Sequence, residues 1–253
     1  MIPKIIHYCW FGGKPLPELA EKCIQSWKKY CPDYEIKRWD EQSFNFKSSI
    51  FTAEAYEAKK WAFITDYVRL YVLYNYGGIY MDTDVEVCKS LDEFLDCHAF
   101  TGFENEDNAV TGTMASESGN NMIGKLLHYY DERHFVKPDG SFDTVPNTII
   151  ITEIVKNEGL RLDNTLQTVG EMTFYPSDYF CPKDPRDGVL HITENTACIH
   201  HFDGSWLSDQ DKRFYDVSRY CERTFGRLAP VLFKVYKYGL HPKVFFDRLK
   251  KGP

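Results

Sequence analysis

The first forty residues alternate between short apolar runs and one amphipathic stretch. Residues 4–10, "KIIHYCW", are β-branched and aromatic and end at two glycines, which predicts a strand followed by a turn. Residues 15–32 carry apolar side chains at helical spacing between prolines, and residues 34–40 alternate again. A strand, a helix and a strand in this order predict a parallel βαβ unit.

The rest of the chain continues this alternation of strands and helices. Residues 52–78 predict one or two helices, the later ending with Gly77 as its C-cap, and residues 79–87 predict a strand interrupted by two aspartates. Residues 101–122 are polar and rich in glycine and asparagine, which predicts a loop. Further strands are predicted near residues 98–104, 166–170, 172–177 and 197–206, and further helices near 120–133 and 147–159.

This pattern predicts an α/β fold with a mostly parallel central sheet flanked by helices. We expect one domain over residues 1–208 and a basic helical extension over residues 209–253. The length of 253 residues and a hydrophobic content of 43% are ordinary for a globular protein with a substantial core.

Charge and cysteine usage narrow the class of protein. A net charge of −7 argues against a general nucleic-acid binder, which needs a basic field. The eight cysteines show no CxxC pair, which predicts reduced thiols in a cytoplasmic protein. The first residues lack a basic and then apolar leader, and no apolar run of about 18 residues occurs, so we expect no signal peptide and no membrane span.

Asp82 and Asp84 are the first candidates for chemistry. On an extended segment, residues i and i+2 point the same way, so the two carboxylates would share one side. Such a pair is costly unless a cation or a proton neutralises it. Oxygen ligands suit Mg²⁺ or Mn²⁺, and a bound diphosphate is a common reason to hold such an ion. A polar turn is the alternative interpretation.

Asp66 and Arg69 lie on the predicted helix just before these aspartates. Their i,i+3 spacing places them on one face, where they can pair. The helix is otherwise apolar on most sides, which indicates that it is largely buried. The pair is therefore either a structural ion pair or a polar group that reaches into a site.

Three blocks of the chain resemble one enzyme family. Residues 63–87, "FITDYVRLYVLYNYGGIYMDTDVEV", resemble the signature of glycosyltransferases with a DXD sugar-binding motif, family 32. That family includes bacterial capsular-polysaccharide enzymes and fungal initiating mannosyltransferases, and it is distantly similar to the glucosylating domains of clostridial toxins. Residues 2–13 and 198–206 resemble its first and last motifs, so the resemblance spans residues 2–206.

The resemblance implies a GT-A fold with a Rossmann-like sheet, a nucleotide-sugar donor, a UDP-hexose by preference, and Mn²⁺ or Mg²⁺. It implies that Asp84 binds the metal directly, while Asp82 lies nearer the donor sugar and ribose and reaches the metal through water. It implies that Asp66 and Arg69 hold the sugar hydroxyls and the diphosphate.

The same resemblance assigns four further residues to the nucleotide sugar. Trp10 matches an aromatic residue that stacks on the uracil, although a core position is the alternative. Tyr80 occupies a tyrosine position close to the nucleotide. Ser205 and Trp206 match a closing loop that contacts the diphosphate and the sugar.

Four other residues carry open alternatives. His201 is the expected third metal ligand by its resemblance to an H-x-x-G motif, and the adjacent His200 would point the other way on an extended segment. Glu104 is either a sugar contact or, more often for such a residue, a surface residue. Asn147 is either a donor-sugar contact or a helix N-cap, which we favour.

These residues predict a metal-dependent retaining transfer of a hexose to a saccharide acceptor in bacterial capsule, lipopolysaccharide or another surface glycan. A metal and Arg69 would stabilise the charge that develops on the leaving diphosphate. No carboxylate is marked by the sequence as a covalent nucleophile, so we favour front-face attack assisted by the leaving phosphate. The alternatives are a toxin-like protein glucosyltransferase, a nucleotide-sugar hydrolase, and a non-catalytic module that binds sugar or metal.

The end of the chain has a different character. Residues 224–253 contain seven basic side chains and one acidic side chain, interleaved with aromatic residues. This composition predicts peripheral contact with an anionic inner membrane, where a lipid-linked acceptor would lie. A solvated helical hairpin packed against the domain is the alternative.

Overall fold

The computed structural model of the chain describes residues 1–106, 108–109, 112–205 and 209–225. The helices are α1 (Glu18–Tyr30), α2 (Ile50–Glu57), α3 (Trp61–Tyr76), α4 (Asn121–His128), α5 (Asn147–Asn157), α6 (Ser177–Phe180) and α7 (Asp209–Phe225). The strands are β1 (Ile5–Cys9), β2 (Glu35–Trp39), β3 (Gly78–Met81), β4 (Val85–Val87), β5 (Ala99–Gly102), β6 (Thr113–Ser116), β7 (Gln167–Val169), β8 (Met172–Tyr175) and β9 (Cys198–His200).

Within these described ranges, seven strands form one sheet in the order β2-β1-β3-β6-β5-β8-β7. β1 pairs in parallel with β2 and with β3, and β5 pairs in parallel with β8. β6 runs antiparallel to both β3 and β5, so β3 and β5 point the same way, and β7 runs antiparallel to β8. The α/β class and the first βαβ unit are confirmed. The sheet is mixed, however, because β6 and β7 oppose the other strands.

β6 corrects the prediction of one continuous loop over residues 101–122. Every residue of β6 is buried, in the middle of the sheet. The Ser116 hydroxyl donates to the backbone oxygen of Leu73 at 3.2 Å, which allows a polar side chain at this position. A four-residue strand with small and polar side chains lacks the alternation by which half-buried strands are recognised.

The sheet separates two apolar cores. Along β3, Tyr80 packs in the core that contains α3, whereas Ile79 and Met81 pack in the core that contains α1. This alternation is the ordinary consequence of a pleated strand covered on both faces. Helix α3 ends at Gly77 as predicted, with a φ of 66° that favours glycine, and the Gly77 N–H donates to the carbonyl of Leu73.

A second, two-stranded sheet joins the segment after Asp82 and Asp84 to a part of the chain more than a hundred residues away. β4 and β9 are antiparallel, with Val85 opposite His200. The indole N–H of Trp27 on α1 donates to the Val85 carbonyl at 2.7 Å, and the Ser26 hydroxyl accepts from the N–H of Val87. Helix α1 therefore holds β4 in place, and β4 in turn positions β9.

The chain forms two compact units. The described part of the first comprises residues 1–106, 108–109, 112–183 and 191–202, and the described part of the second comprises residues 184–190, 203–205 and 209–225. In the second unit, α7 begins at the start of the predicted helical extension, and Arg219 Nε donates to the Pro185 carbonyl at 3.4 Å. The division at residue 208 and the membrane contact stay predictions, because residues 226–253 lie outside the described residues.

In the part of the chain that the structure describes, no helix has both the length and the apolar character that crossing a bilayer requires.

Candidate active site

The candidate site lies at one edge of the large sheet, in the first compact unit. Because β1, β3 and β5 point the same way, their carboxyl ends meet at this edge. Trp10, Asp82 and Glu104 follow directly after these three strands or one residue later. The carboxyl ends of such strands are where α/β sheets bind ligands.

Asp82 and Asp84 form a tight turn between β3 and β4. The Val85 N–H donates to the Asp82 carbonyl at 3.0 Å, and the Asp82 N–H donates to the Gly112 carbonyl at 2.8 Å. A Cβ atom on Gly112 would lie 2.9 Å from the Asp82 Oδ2, so only glycine fits against this carboxylate. The aspartates thus lie in a turn, as the alternative interpretation predicted. A backbone hydrogen bond to the residue before β6 fixes this turn against the large sheet.

Helix α3 brings Asp66 and Arg69 to the same place. Arg69 Nη2 lies 3.3 Å from Asp66 Oδ1 and 3.1 Å from Asp82 Oδ1. The side chains of Asp66 and Arg69 are only 13% and 8% exposed, so this is a buried bridge. Tyr80 completes it, because its hydroxyl donates to Asp82 Oδ1 at 3.0 Å and its ring lies 4.7 Å from the guanidinium.

Burial and repulsion shape the protonation of this bridge. Burial raises the pKa of Asp66 to about 7, assisted by the Asp82 carboxylate and opposed by Arg69. Burial alone would lower the pKa of Arg69, but Asp82, Tyr80 and Asp66 outweigh it and raise that pKa. The guanidinium therefore stays charged. Its Nε is buried and has no hydrogen-bond partner among the described residues.

A group suited to a divalent metal lies beside the bridge. One oxygen of Asp82, one oxygen of Asp84 and one ring nitrogen of His200 all lie within 4.8 Å of one another. His200 Nε2 is 3.5 Å from Asp84 Oδ1, and both side chains are mostly buried. Two carboxylates and an imidazole are a donor set that Mn²⁺ accepts, so the residues present fit the implied metal.

The structure places the ring of His200, and not that of the expected ligand His201, beside the two aspartates, while the identity of the metal ligand stays a prediction. The His201 N–H donates to the Asp84 carbonyl at 3.0 Å, which continues the β4–β9 pairing. Adjacent residues of a strand face opposite ways, so His200 is the one whose ring meets the aspartates. The ring of His201 turns away, with its Nε2 2.9 Å from Glu86 Oε2.

The charge state of His200 depends on its neighbour. Burial alone would lower the pKa of His200, but the Asp84 carboxylate outweighs burial and raises the pKa well above its ordinary value. A proton therefore occupies this imidazole where a metal would bind. Metal binding at such a ligand releases that proton.

Glu104 is closer to the site than a surface residue would be. It is half-buried, and burial raises its pKa. His200 and Arg69 oppose that increase in the pKa, and Asp82 adds to it, so the carboxylate senses all three charges. The sequence offered Glu104 as a sugar contact or, more often for such a residue, a surface residue; it is half-buried, and its contact with a sugar stays a prediction.

The remaining residues are placed as follows. Trp10 is half-buried, and its indole N–H donates to the Lys14 carbonyl at 2.6 Å, so its role at a nucleobase stays a prediction. Asn147 is not an N-cap: Pro146 precedes α5 in that position, and the buried Asn147 Nδ2 has no hydrogen-bond partner among the described residues. Ser205 is exposed, and Trp206 lies outside the described residues.

Sequence reasoning missed two features of this site. His200 was set aside because the side from which β9 faces the turn depends on its register with β4. Gly112 was assigned to a loop because nothing local marks β6. The glycine itself was the available signal, since a glycine before a strand often marks a close approach of backbone.

Residues 17–101 match the family described as glycosyltransferase sugar-binding region containing DXD motif. The match includes Asp66, Arg69, Asp82 and Asp84, whereas Glu104 and His200 lie beyond it.

Curated relatives include enzymes named as glycosyltransferases. Inositol phosphoceramide mannosyltransferase 3 of Schizosaccharomyces pombe is 33% identical over 135 residues, which are 49% of this chain and 33% of that protein. The chain thus matches about a third of that relative's length. An uncharacterised glycosyltransferase of Acanthamoeba polyphaga mimivirus is 24% identical over 79% of this chain and 85% of its own length.

Solved structures with a similar course of the chain were also found. The galactosyltransferase LgtC, in complex with donor and acceptor sugar analogues, is 16% identical, with a TM-score of 0.44 over 81% of this chain and 90% of that one. The PaToxG glycosyltransferase is 18% identical, with a TM-score of 0.44 over 62% of this chain and 70% of that one. By the family match and the curated relatives, residues 17–101 of this chain are similar to glycosyltransferase sugar-binding regions that contain a DXD motif.

Proposed function

We propose that the protein is a metal-dependent glycosyltransferase with a GT-A fold that moves a hexose from a nucleotide sugar to a saccharide acceptor. The observation that carries this proposal is the juxtaposition of Asp82, Asp84 and His200 with the buried Arg69 bridge. The match of residues 17–101 to a sugar-binding family supports it.

In this proposal, Asp82, Asp84 and His200 hold Mn²⁺ or Mg²⁺ at the carboxyl end of β3. When bound, such an ion offsets the negative charge that develops on the diphosphate as the bond to the sugar breaks. Ions of this kind at substrate sites are commonly held by one or two carboxylates together with phosphate oxygens of the substrate, so Asp82 and Asp84 would suit a bound diphosphate.

Arg69 adds a second, fixed positive charge. Its guanidinium is held by Asp66 and Asp82, so its direction is set before the donor binds. The unpaired Nε provides a buried donor for a phosphate or sugar oxygen. Asp66 and Asp82 would accept hydrogen bonds from sugar hydroxyls, and Trp10 and Tyr80 would lie along the nucleotide.

We further propose a retaining transfer. The bond between the anomeric carbon and the phosphate oxygen would break while the acceptor hydroxyl bonds to that carbon from the same face. An oxygen of the leaving phosphate would take the proton of that hydroxyl. Ser205 and Trp206 would close over the diphosphate in this scheme. A covalent sugar adduct trapped on Asp66, found by mass spectrometry, would overturn the front-face route while leaving the transferase assignment intact.

The proposal names the donor and the acceptor only by chemical class. UDP-hexose is the expected donor, and a capsule, lipopolysaccharide or other surface glycan is the expected acceptor. The name of one relative joins a mannosyltransferase to inositol phosphoceramide, so a mannose donor and a lipid-linked acceptor belong in the test. The basic extension would place the enzyme at the cytoplasmic face of an anionic membrane.

The test is a donor screen that needs no acceptor. The purified chain is incubated with Mn²⁺ and a panel of UDP- and GDP-sugars, and the released nucleotide is measured. We expect slow hydrolysis of one or a few donors, abolished by a chelator. Asp84→Ala is expected to lower this rate by about 10³-fold or more, because it removes a group that acts on the leaving charge.

Glu86→Gln is the matched control, since Glu86 follows Asp84 by two residues and pairs with His201 instead of the metal group. It is expected to keep the rate within about threefold, as an exposed polar change does. Full activity of a folded Asp84→Ala would contradict the proposal. Tight sugar binding without any hydrolysis or transfer would favour the non-catalytic module.

Transfer and hydrolysis are separated by adding acceptors. A rate of nucleotide release that rises with an added saccharide or glycolipid marks a transferase. A rate that no acceptor changes, with free sugar as the sole product, marks a nucleotide-sugar hydrolase. Sugar found on added protein marks a toxin-like enzyme.

A further inference from the structure

Glu104 is a charged residue of this sheet edge that the proposed reaction does not use. It follows β5 by two residues, where Phe103 still pairs with the sheet through its N–H, which donates to the Tyr175 carbonyl at 2.9 Å. β5 and β3 point the same way with β6 between them, so Glu104 emerges at the edge that carries Asp82. Two strand spacings separate their backbones by about 10 Å.

The backbone at Glu104 is held firmly. Its N–H donates to the Asn108 carbonyl at 2.9 Å, and the Asn108 N–H donates to Asn105 Oδ1 at 3.0 Å. Phe103 pairs with Ala109 across this turn, and both are fully buried. Ala109 is in turn hydrogen-bonded through its N–H and its carbonyl to the Thr152 hydroxyl on α5. The turn therefore gives Glu104 a defined direction.

Gly112 allows the backbone between β3 and β5 to approach Asp82 closely. Gly112, just before β6, lies between the ends of β3 and β5 and contributes no side chain. Any Cβ there would meet Asp82 Oδ2 and Val85 Cγ2, both at 2.9 Å. A side chain at this position would therefore displace the Asp82 carboxylate, so Gly112 helps to fix Asp82 on the β3 side of the edge that Glu104 reaches from β5.

Among the residues that the structure describes, the Glu104 carboxylate has no partner of its own. In the portion of the chain that the structure describes, it makes no hydrogen bond and no ion pair, although it is half-buried. Glu104 is also not one of the three residues, Asp82, Asp84 and His200, whose ligand atoms could hold a metal. A half-buried carboxylate near Asp82 experiences repulsion, which hydroxyl donors of a ligand would offset.

We propose, resting on the transferase function above, that the Glu104 carboxylate accepts hydrogen bonds from hydroxyl groups of the transferred sugar and thereby selects the donor sugar. The metal and Arg69 are assigned to the diphosphate, so the sugar hydroxyls are the hydrogen-bond donors left for a carboxylate at this site. Glu104 thus contacts the sugar from the β5 side, while Asp66 and Arg69 contact the donor from α3.

The experiment uses the full chain, Mn²⁺ and whichever nucleotide sugar the wild type hydrolyses. Glu104→Gln and Glu104→Ala are expected to lower kcat/KM for that donor by about 10- to 100-fold, since a hydrogen bond to a charged group is lost. Calorimetry with UDP and Mn²⁺ is expected to give a Kd within about twofold of the wild type, because UDP carries no sugar for Glu104 to bind.

A series of monodeoxy donors then tests the contact itself. The wild type is expected to discriminate by about 10- to 100-fold against the donor that lacks the contacted hydroxyl, and Glu104→Gln is expected to lose that discrimination. Glu106→Gln is the control, since Glu106 is exposed in the same turn. Loss of folding in Glu104→Ala, seen by circular dichroism, leaves Glu104→Gln to decide.

Unchanged kcat/KM in both Glu104 variants would overturn this inference alone. An equal loss of UDP–Mn²⁺ affinity would also overturn it, because Glu104 would then act on the metal or nucleotide. A wild type that binds no UDP with Mn²⁺ and hydrolyses no donor would overturn the proposed function and this inference with it.

Discussion

Two buried polar clusters lie on neighbouring strands of the same sheet and differ in how completely they are paired. His7 on β1 is opposite Tyr80 on β3. His7 is fully buried, accepts from the Trp39 indole N–H at 3.0 Å through Nδ1, and donates through Nε2 to the Gly77 carbonyl at 2.9 Å. Both ring nitrogens are thus satisfied within the fold.

The cluster around Asp82 is arranged in the opposite way. The Asp66, Asp82, Asp84 and Glu104 carboxylates there outnumber the positive charges of Arg69 and His200, and the buried Arg69 Nε has no partner among the described residues. Satisfied buried groups stabilise a fold, whereas unsatisfied ones are the usual mark of a site that binds something. Burial of polar groups alone therefore does not identify a site, whereas burial without hydrogen-bond partners points to one.

Removing Arg69 is expected to have the largest effect on stability. Arg69→Ala leaves the Asp66 and Asp82 carboxylates without their cation, so the free energy of unfolding is expected to fall by about 3–5 kcal/mol. Urea denaturation of the metal-free protein measures it. Lys156→Ala removes an exposed i,i+3 pair with Glu153 and is expected to cost less than about 0.5 kcal/mol. A loss below about 1 kcal/mol for Arg69→Ala would mean that the bridge is not structural.

The His7 cluster is expected to respond to pH. Burial lowers the pKa of His7 from 6.5 to about 4, opposed by the Gly77 carbonyl and assisted by Lys37. Since the pKa is lower in the folded state, the stabilisation is complete above pH 6.5 and is lost as the pH falls from 6.5 through 4. The loss amounts to about 3 kcal/mol.

His7→Gln isolates this effect from other titrations. The difference in free energy of unfolding between wild type and His7→Gln is expected to shift against the wild type by about 3 kcal/mol between pH 7 and pH 4. Urea denaturation at a series of pH values provides the measurement. A difference that does not change with pH would show that His7 titrates normally.

Trp39→Phe is expected to have the smallest effect. It keeps a ring in the core but removes the N–H that His7 Nδ1 accepts, which leaves a buried acceptor unpaired. The expected cost is about 1–3 kcal/mol in the free energy of unfolding, with Mn²⁺ and UDP binding unchanged. Loss of Mn²⁺ binding in Trp39→Phe would show that the His7 cluster and the Asp82 cluster are not independent.

The sequence predicted the elements that are long or strongly periodic. α1, α3 and the strand–helix–strand start were predicted because their apolar spacing is regular and prolines or glycines mark their ends. β6 was not, because four buried residues between loops carry no period. Its antiparallel course through the sheet depends on contacts with β3 and β5 that are remote along the chain.

For the candidate site too, the sequence predicted what depends on local spacing and missed what depends on remote contacts. Asp66, Arg69, Asp82 and Asp84 lie close together in sequence, so helix and strand geometry were enough to group them. The choice between His200 and His201 depended on the register of β9 against β4, over a hundred residues away. Glu104 depended on the direction of β5, which only the whole sheet defines.

The most direct test of the account is calorimetric titration of Mn²⁺ with UDP in the wild type, His200→Ala and His201→Ala. Because even residues behind metal ligands cost about 10- to 100-fold, loss of the ligand His200 is expected to weaken Mn²⁺ binding by about 100-fold or more. His201→Ala is expected to stay within about threefold. Equal affinity of His200→Ala and wild type, or a selective loss in His201→Ala, would contradict the metal site of Asp82, Asp84 and His200.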